Sequence, residues 1–431
     1  MAQEMRIYAG PDIAKYIERF ASRRSDASDQ VERSVAAILR HVRENGDAAL
    51  IEYGKKFDGV DYNRHPLRVD VQSLAKAHAE LDGELAQVLR EARQNIQRFH
   101  EKGLPQSRLH WEADGVLLGQ RVTAIERAGV YVPGGLAAYP SSLLMGVVPA
   151  QVAGVQEIIV ITPCDAQGEV NHTILAAAYE LGITRVFRVG GAHGIAALAF
   201  GTTTIPRVDK IVGPGNIYVA TAKKLLYGQC GIDMIAGPSE VLIIADQSAD
   251  PVYIAADLLA QAEHDPLAAA ILLTDSSRLA EATRRQVDEQ TKELPRAAII
   301  HEALENYGGI ILADSMEECF ELSNRLAPEH LGLHVNDPWE ALGHIRNAGA
   351  IFLGSFSPEA IGDYWAGPNH VLPTNGSARF FSPLRAEDFL KVSSIIAYSQ
   401  RAIRRHGRKI EAFAKSEGLQ AHAAAIAKRM N

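Results

Sequence analysis

Residues 155–163 read Val-Gln-Glu-Ile-Ile-Val-Ile-Thr-Pro, followed by ILAAAYELGI (174–183), RVFRVGG (185–191) and IAALAFG (195–201). Short β-branched runs alternating with Ala-rich helical segments predict βαβ units and a mostly parallel sheet. Outward from this stretch the pattern repeats in SEVLIIAD (239–246), AAAILLTD (268–275), GGIILAD (308–314) and GAIFLG (349–354). Val241-Leu-Ile-Ile244 is apolar on both faces, as a strand covered by helices on each side should be. The first hundred or so residues read as helical, for example EARQNIQRFHEKG, which stops at Gly103.

At 431 residues the chain exceeds what one hydrophobic core usually supports, so two α/β domains with smaller pieces are expected. With 47% hydrophobic and 22% charged residues the composition is that of a soluble globular protein. The net charge of −8 provides no basic footprint for nucleic acid. No apolar run is long enough to span a bilayer, and the N-terminus has no apolar signal core, so a cytoplasmic location without membrane contact is expected. Cys164, Cys230 and Cys319 are an odd set without C-x-x-C spacing, which indicates neither a disulfide framework nor a thiolate metal site.

Glycine-rich loops follow several strands, at Val132-Pro-Gly-Gly135, Gly190-Gly-Ala-His-Gly194 and Gly213-Pro-Gly-Asn216. Such loops can bring backbone close to a phosphate or simply turn the chain; none is a G-x-G-x-x-G fingerprint with an acid about 20 residues on. Polar residues gather near the ends of later elements: Gln261 and His264 in QAEHD, Glu329-His330, Asp363, and His370 seven residues on. Positions i and i+3 share a helix face, so Gln261 and His264 read either as a solvated helix end or as half of a metal site. A Glu–His pair where a loop meets a strand can be a cap with a packed imidazole, or a base with a water activator. An N/O donor set without cysteine would suit a metal serving substrate or catalysis more than folding. The histidines at 41, 65, 78, 100, 110, 301 and 406 lie in polar contexts that suit the surface.

GVYVPGG (129–135), KIVGPGNIYVATAK (210–223), IDMIAGPSEVLIIAD (232–246), DLLAQAEHDP (257–266), APEHL (327–331), GDYWAGPNHVLPT (362–374) and EGLQAH (417–422) occur in that order. Together they resemble the histidinol dehydrogenase family, from about residue 30 to the end. The resemblance implies zinc held by Gln261, His264, Asp363 and His422. It also implies catalysis by Glu329 and His330, substrate contacts at Ser239, His370 and Glu417 besides the ligands and His330, and NAD contacts at Tyr131, His193 and Asn216. The implied fold is two Rossmann-like α/β domains with small helical segments at both termini. The expected division is 1–26 as an N-terminal helical segment, 27–130 with 239–384 as a metal and substrate domain, 131–238 as an incomplete Rossmann-like NAD domain, and 385–431 as a C-terminal helical arm.

The implied reaction is a four-electron oxidation of L-histidinol to L-histidine through the aldehyde, with two NAD+. Zinc would orient the substrate through its imidazole and amino group, His330 would take the alcohol proton, and Glu329 would activate water. The family includes relatives acting on other small alcohols such as sulfopropanediol; Glu417 and His422 favour histidinol. A non-catalytic binding module is disfavoured by the Glu–His pair and the complete ligand set. A thiohemiacetal route would fall to Cys164, which has no activating partner nearby in sequence. His193 stands where the family usually has Gln, while Gly146 and Gln151 stand where Asn and Lys are frequent. The tail carries Glu417 and His422 although it lies outside the α/β pattern. That predicts an arm reaching into a neighbouring subunit, which the resemblance implies is the second chain of a homodimer with reciprocal exchange.

Overall fold

The computed structural model describes residues 5–22, 29–134 and 139–430; Gly135, in the first glycine loop, lies outside them. In chain order the strands are β1 (Ile7–Ala9), β2 (Arg108–Trp111), β3 (Leu117–Ala124), β4 (Arg127–Tyr131), β5 (Glu157–Thr162), β6 (Val186–Arg188) and β7 (Lys210–Val212). They continue with β8 (Gly231–Ile232), β9 (Glu240–Ala245), β10 (Ala269–Thr274), β11 (Gly309–Leu312), β12 (His330–His334), β13 (Ala350–Leu353) and β14 (Leu390–Ala397). A six-stranded sheet runs β1-β11-β10-β9-β12-β13 with every pairing parallel. A five-stranded parallel sheet runs β6-β5-β4-β7-β8. The expected pair of α/β layers is therefore present.

Every residue of β9 and β10 is buried, because helices cover both faces of the six-stranded sheet. One side packs Val241, Ile243 and Leu272 against the helix Pro251–Ala262. The other packs Leu242, Ile244 and Leu331 against the helices Pro11–Ser22 and Met316–Leu326. The expected N-terminal helical segment thus contains an edge strand as well as a helix, and both belong to this sheet.

The helices of residues 29–102, expected to group with 239–384, pack against the five-stranded sheet. Val35, Ile38, Leu39 and Val42 of the helix Asp29–Asn45 share a core with Ile195, Leu198 and Val219, over the five-stranded sheet. Leu89, Ala92 and Ile96 of the helix Gly83–Lys102 join Leu143, Leu144 and Val147 on its opposite face. Helical periodicity marks an apolar face but not the sheet that will bury it. The C-terminal segment adds a strand to its helices. It opens with a short 3-10 helix at Ala386–Phe389, continues with β14, which pairs antiparallel with β3, itself paired with β2, and ends in the α-helices Gln400–Ser416 and Gln420–Ala427.

Candidate active site

The five-stranded sheet has the order of a Rossmann half. Strands β5 and β6 lie on one side of β4, and β7 and β8 on the other, so the switch point falls between the carboxyl ends of β4 and β7. Tyr131 ends β4, and the Gly213-Pro-Gly-Asn216 loop follows β7. Gly213 has φ +116°, and a Cβ there would stand 2.1 Å from the Tyr131 carbonyl oxygen. Asn216 caps the next helix by accepting from the Tyr218 and Val219 amides. Burial raises the Tyr131 phenol to about 12. His193 sits in the first turn of the helix Gly191–Phe200, 2% exposed, with Nε2 3.7 Å from Asp58 Oδ2 and its ring tilted against Tyr53 and Phe57.

The other two departures from the family pattern have structural roles. A Cβ on Gly146 would press to 2.6 Å from Val130, so glycine lets its helix lie on β4. Gln151 donates its amide to the Leu181 carbonyl at 2.7 Å.

The polar cluster expected of the six-stranded sheet lies at its amino edge, not at the carboxyl edge where α/β sheets usually bind ligands. His330 is the first residue of β12, and Glu240 the first of β9. The helix Pro251–Ala262 runs back antiparallel to its strand, which delivers Gln261 and the following turn to the same edge. The His264 amide donates to the Gln261 carbonyl at 3.2 Å, so the turn continues the helical path. Gln261 is 1% exposed, and neither its Oε1 nor its Nε2 has a hydrogen-bond partner. An amide buried this way costs free energy unless something occupies its polar atoms.

Donor atoms of His264, Glu359 and Asp363 all lie within 4.8 Å of one another. Glu359 and Asp363 are four apart on the helix Glu359–Tyr364 and therefore share a face. That spacing was legible in SPEAIGD, yet the sequence reading took only Asp363. Burial raises both carboxyls, Asp363 to about 6 and Glu359 well above the ordinary range, with Asp363 adding to the rise at Glu359. Two reluctant carboxylates, an imidazole and an unsatisfied amide make an N/O set suited to a divalent cation.

Beside this cluster Glu329 accepts from the Glu240 amide at 2.9 Å and from the Ser239 side chain. Burial raises its carboxyl well above the usual range. His330 Nδ1 lies 3.3 Å from the Glu240 carbonyl, 3.7 Å from Glu329 and 3.8 Å from Glu359. Nε2 has no partner, and burial pushes the imidazole down to about 3. His370, lowered to about 4 by burial, contacts the Asp363 carbonyl at 3.2 Å and Ser142 at 3.4 Å. A cavity of ≈ 360 Å³ opens from His264 and Asp363 past Arg296 and Tyr364 to Leu89 and Met145.

Two expected residues stay apart. Glu417, in the turn between the two C-terminal helices, and His422, on the second of them, are exposed, and His422 does not join the cluster of donors. Cys164 lies by the other sheet, its thiol raised to about 11 by burial, which removes the thiolate that a thiohemiacetal route needs. His100, expected at the surface, is buried at 3% exposure.

Two parallel α/β layers, one with glycine loops at its switch point and one with a His–Gln–carboxylate cluster, define an α/β protein of Rossmann-like architecture. The histidinol dehydrogenase family model matches residues 21–430. A histidinol dehydrogenase of Geobacillus kaustophilus is 50% identical over 425 residues, covering 99% of this chain and 98% of that protein. One of Carboxydothermus hydrogenoformans is 52% identical, covering 95% and 96%. The crystal structure of histidinol dehydrogenase from Elizabethkingia anophelis superposes with a TM-score of 0.94 at 38% identity, over 100% of this chain and 99% of that one. The chain belongs to the histidinol dehydrogenase family.

Proposed function

We propose that the chain oxidises L-histidinol to L-histidine through L-histidinaldehyde, using NAD+ and a bound zinc ion. Family membership across nearly the whole chain carries the reaction. The unsatisfied buried amide of Gln261, beside His264 and two strained carboxyls, is the observation that supports a metal at this position. Gln261, His264 and Asp363 would hold the ion. Zinc would supply a fixed positive charge that anchors the imidazole and amine of the substrate, and NAD+ would accept the hydrides.

The chain's own residues would move the protons. With Nδ1 directed at the Glu240 carbonyl, His330 presents the lone pair of Nε2 to the alcohol proton as hydride leaves the carbinol carbon. The imidazolium so formed would lie 3.7 and 3.8 Å from Glu329 and Glu359, whose ionised forms would offset the cost of charging a buried ring. Glu329, oriented by Ser239 and the Glu240 amide, would take a proton from water as it adds to the aldehyde. Loss of the second hydride and a proton from the hydrate gives the acid.

The exposure of Glu417 and His422 supports a homodimer in which the C-terminal helices of each copy complete the other's site. The three unpaired cysteines suit a reducing, cytoplasmic setting. Among the described residues no helix is long and apolar enough to cross a membrane. Purified protein with NAD+ should form reduced cofactor with L-histidinol and not with sulfopropanediol. The converse preference would overturn the substrate assignment.

A further inference from the structure

Lys223 and Asp233 form an ion pair that is almost completely sealed, with side-chain exposures of 2% and 1%. Neither belongs to the polar cluster, and neither lines its cavity. A buried pair of this kind is a poor source of stability, since desolvating both charges offsets most of their attraction. Its placement is more telling. Lys223 Nζ donates to the Gly213 carbonyl at 2.9 Å, and Asp233 Oδ2 accepts from the Gly213 amide at 2.8 Å. One glycine is thus gripped on both faces of its peptide framework by opposite charges. It is the glycine whose φ of +116° brings the 213–216 loop against the Tyr131 backbone at the switch point.

Asp233 also begins the segment that crosses to the other domain. Its Oδ1 accepts from the Met234 amide at 2.6 Å, and its own amide donates to Ile211 at the base of the loop. Four residues on, the Gly237 amide donates to Thr374 Oγ1 at 2.6 Å. The segment then delivers Ser239 and the Glu240 amide, the two groups that hold Glu329. A single buried carboxylate therefore holds the glycine loop and the start of the segment that, six residues on, carries Ser239.

We propose that Lys223 and Asp233 are positioning residues. They lock the 213–216 loop in its cofactor-competent shape and fix its distance from Glu329. This rests on the reading above that the loop borders the NAD+ site. Without the pair, Gly213 retains a conformation open only to glycine but loses both hydrogen bonds that select it, so the loop samples other shapes.

The test uses the full-length zinc-loaded protein. Lys223→Met with Asp233→Leu replaces the charges by apolar side chains, a change that buried pairs often tolerate without loss of stability. Lys223→Met with Asp233→Asn keeps an acceptor for the Gly213 amide, loses the donor to its carbonyl and leaves no unpaired buried charge, and provides the second variant where the first folds poorly. NAD+ affinity by calorimetry should fall at least about tenfold in the apolar pair and by a smaller, several-fold step in the second variant. Zinc content and the melting temperature should stay near wild type. Amide exchange at 213–216 should speed up, while exchange in β9 and β10 should not. Folded variants that bind NAD+ as wild type does would overturn the inference alone. A wild-type protein that binds no NAD+ would overturn the cofactor reading and this inference with it.

Discussion

Replacing Asp363 by Asn should make the metal-free protein more stable and the zinc-treated protein less so. The Asp363 side chain is 16% exposed, and burial lifts its carboxyl from 3.8 to about 6. Below pH 3.8 the group is protonated in both folded and unfolded chains and costs nothing. As pH rises from there, the unfolded chain ionises first, so the folded state loses stability until about pH 6 and the loss is constant above it. At about 1.4 kcal/mol per pH unit, the penalty reaches about 3 kcal/mol. Asn keeps the shape and carries no proton, so metal-free Asp363→Asn escapes up to that amount at pH 8. With an unfolding entropy of about 2.1 cal/mol/K per residue, this raises the melting temperature by roughly 3 °C in a chain of 431 residues. Zinc reverses the order. At a thousand times its dissociation constant it stabilises the wild type by about 4.1 kcal/mol, more than the variant escapes, and the variant, lacking an anionic ligand, by much less. Calorimetry at pH 4 to 8, with chelator and with zinc, reads both halves. A metal-free variant melting at or below the wild type at pH 8 would refute the electrostatic account. Equal stabilisation of both proteins by zinc would refute the ligand assignment.

Glu329→Gln should slow oxidation of supplied L-histidinaldehyde by about 10²–10⁴-fold, the usual scale for losing a general base, while sparing the first hydride transfer more. Single-turnover rates falling equally in both half-reactions would remove the division of labour between Glu329 and His330. His264→Ala and His422→Ala should each be inactive alone, yet mixed under subunit exchange they should recover about a quarter of wild-type activity, because one site of each mixed dimer receives neither defect. No recovery despite exchange seen by mass spectrometry would place the arm on its own chain. Cys164→Ser should leave turnover within about twofold of wild type, since a thiol raised to about 11 offers almost no thiolate at neutral pH; a loss of a hundredfold or more would revive the thiohemiacetal route.

Much of the site was legible as pairs of residues on one element. Gln261 and His264 share a helical path, and Glu329 and His330 are adjacent at the entry to β12. Glu359 was equally available from its i, i+4 relation to Asp363 and was overlooked because glutamate next to proline in a loop-like stretch carries no signal of burial. What periodicity could not reveal was the edge at which these pairs meet. The carboxyl-edge rule for α/β sheets describes the Gly213–Asn216 loop and fails for His330, because the helix Pro251–Ala262 returns its C-terminal end to the amino edge.

Hydrophobic pattern is a local property, and it fixed what is local here. Runs such as Val241–Ile244, apolar on both faces, require a covered parallel sheet wherever they end up, and Gly213 allows the close approach to the Tyr131 backbone. The order of strands, the choice of sheet by the helices of residues 29–102, and the pairing of β14 with β3 arise from competition among many apolar faces of similar strength. That competition is decided only when all the faces are buried together. The same holds for the chemistry. Carboxylates at 359 and 363 have ordinary affinities for protons in an extended chain, and only folding, by removing water from both, turns them into a site that favours a cation.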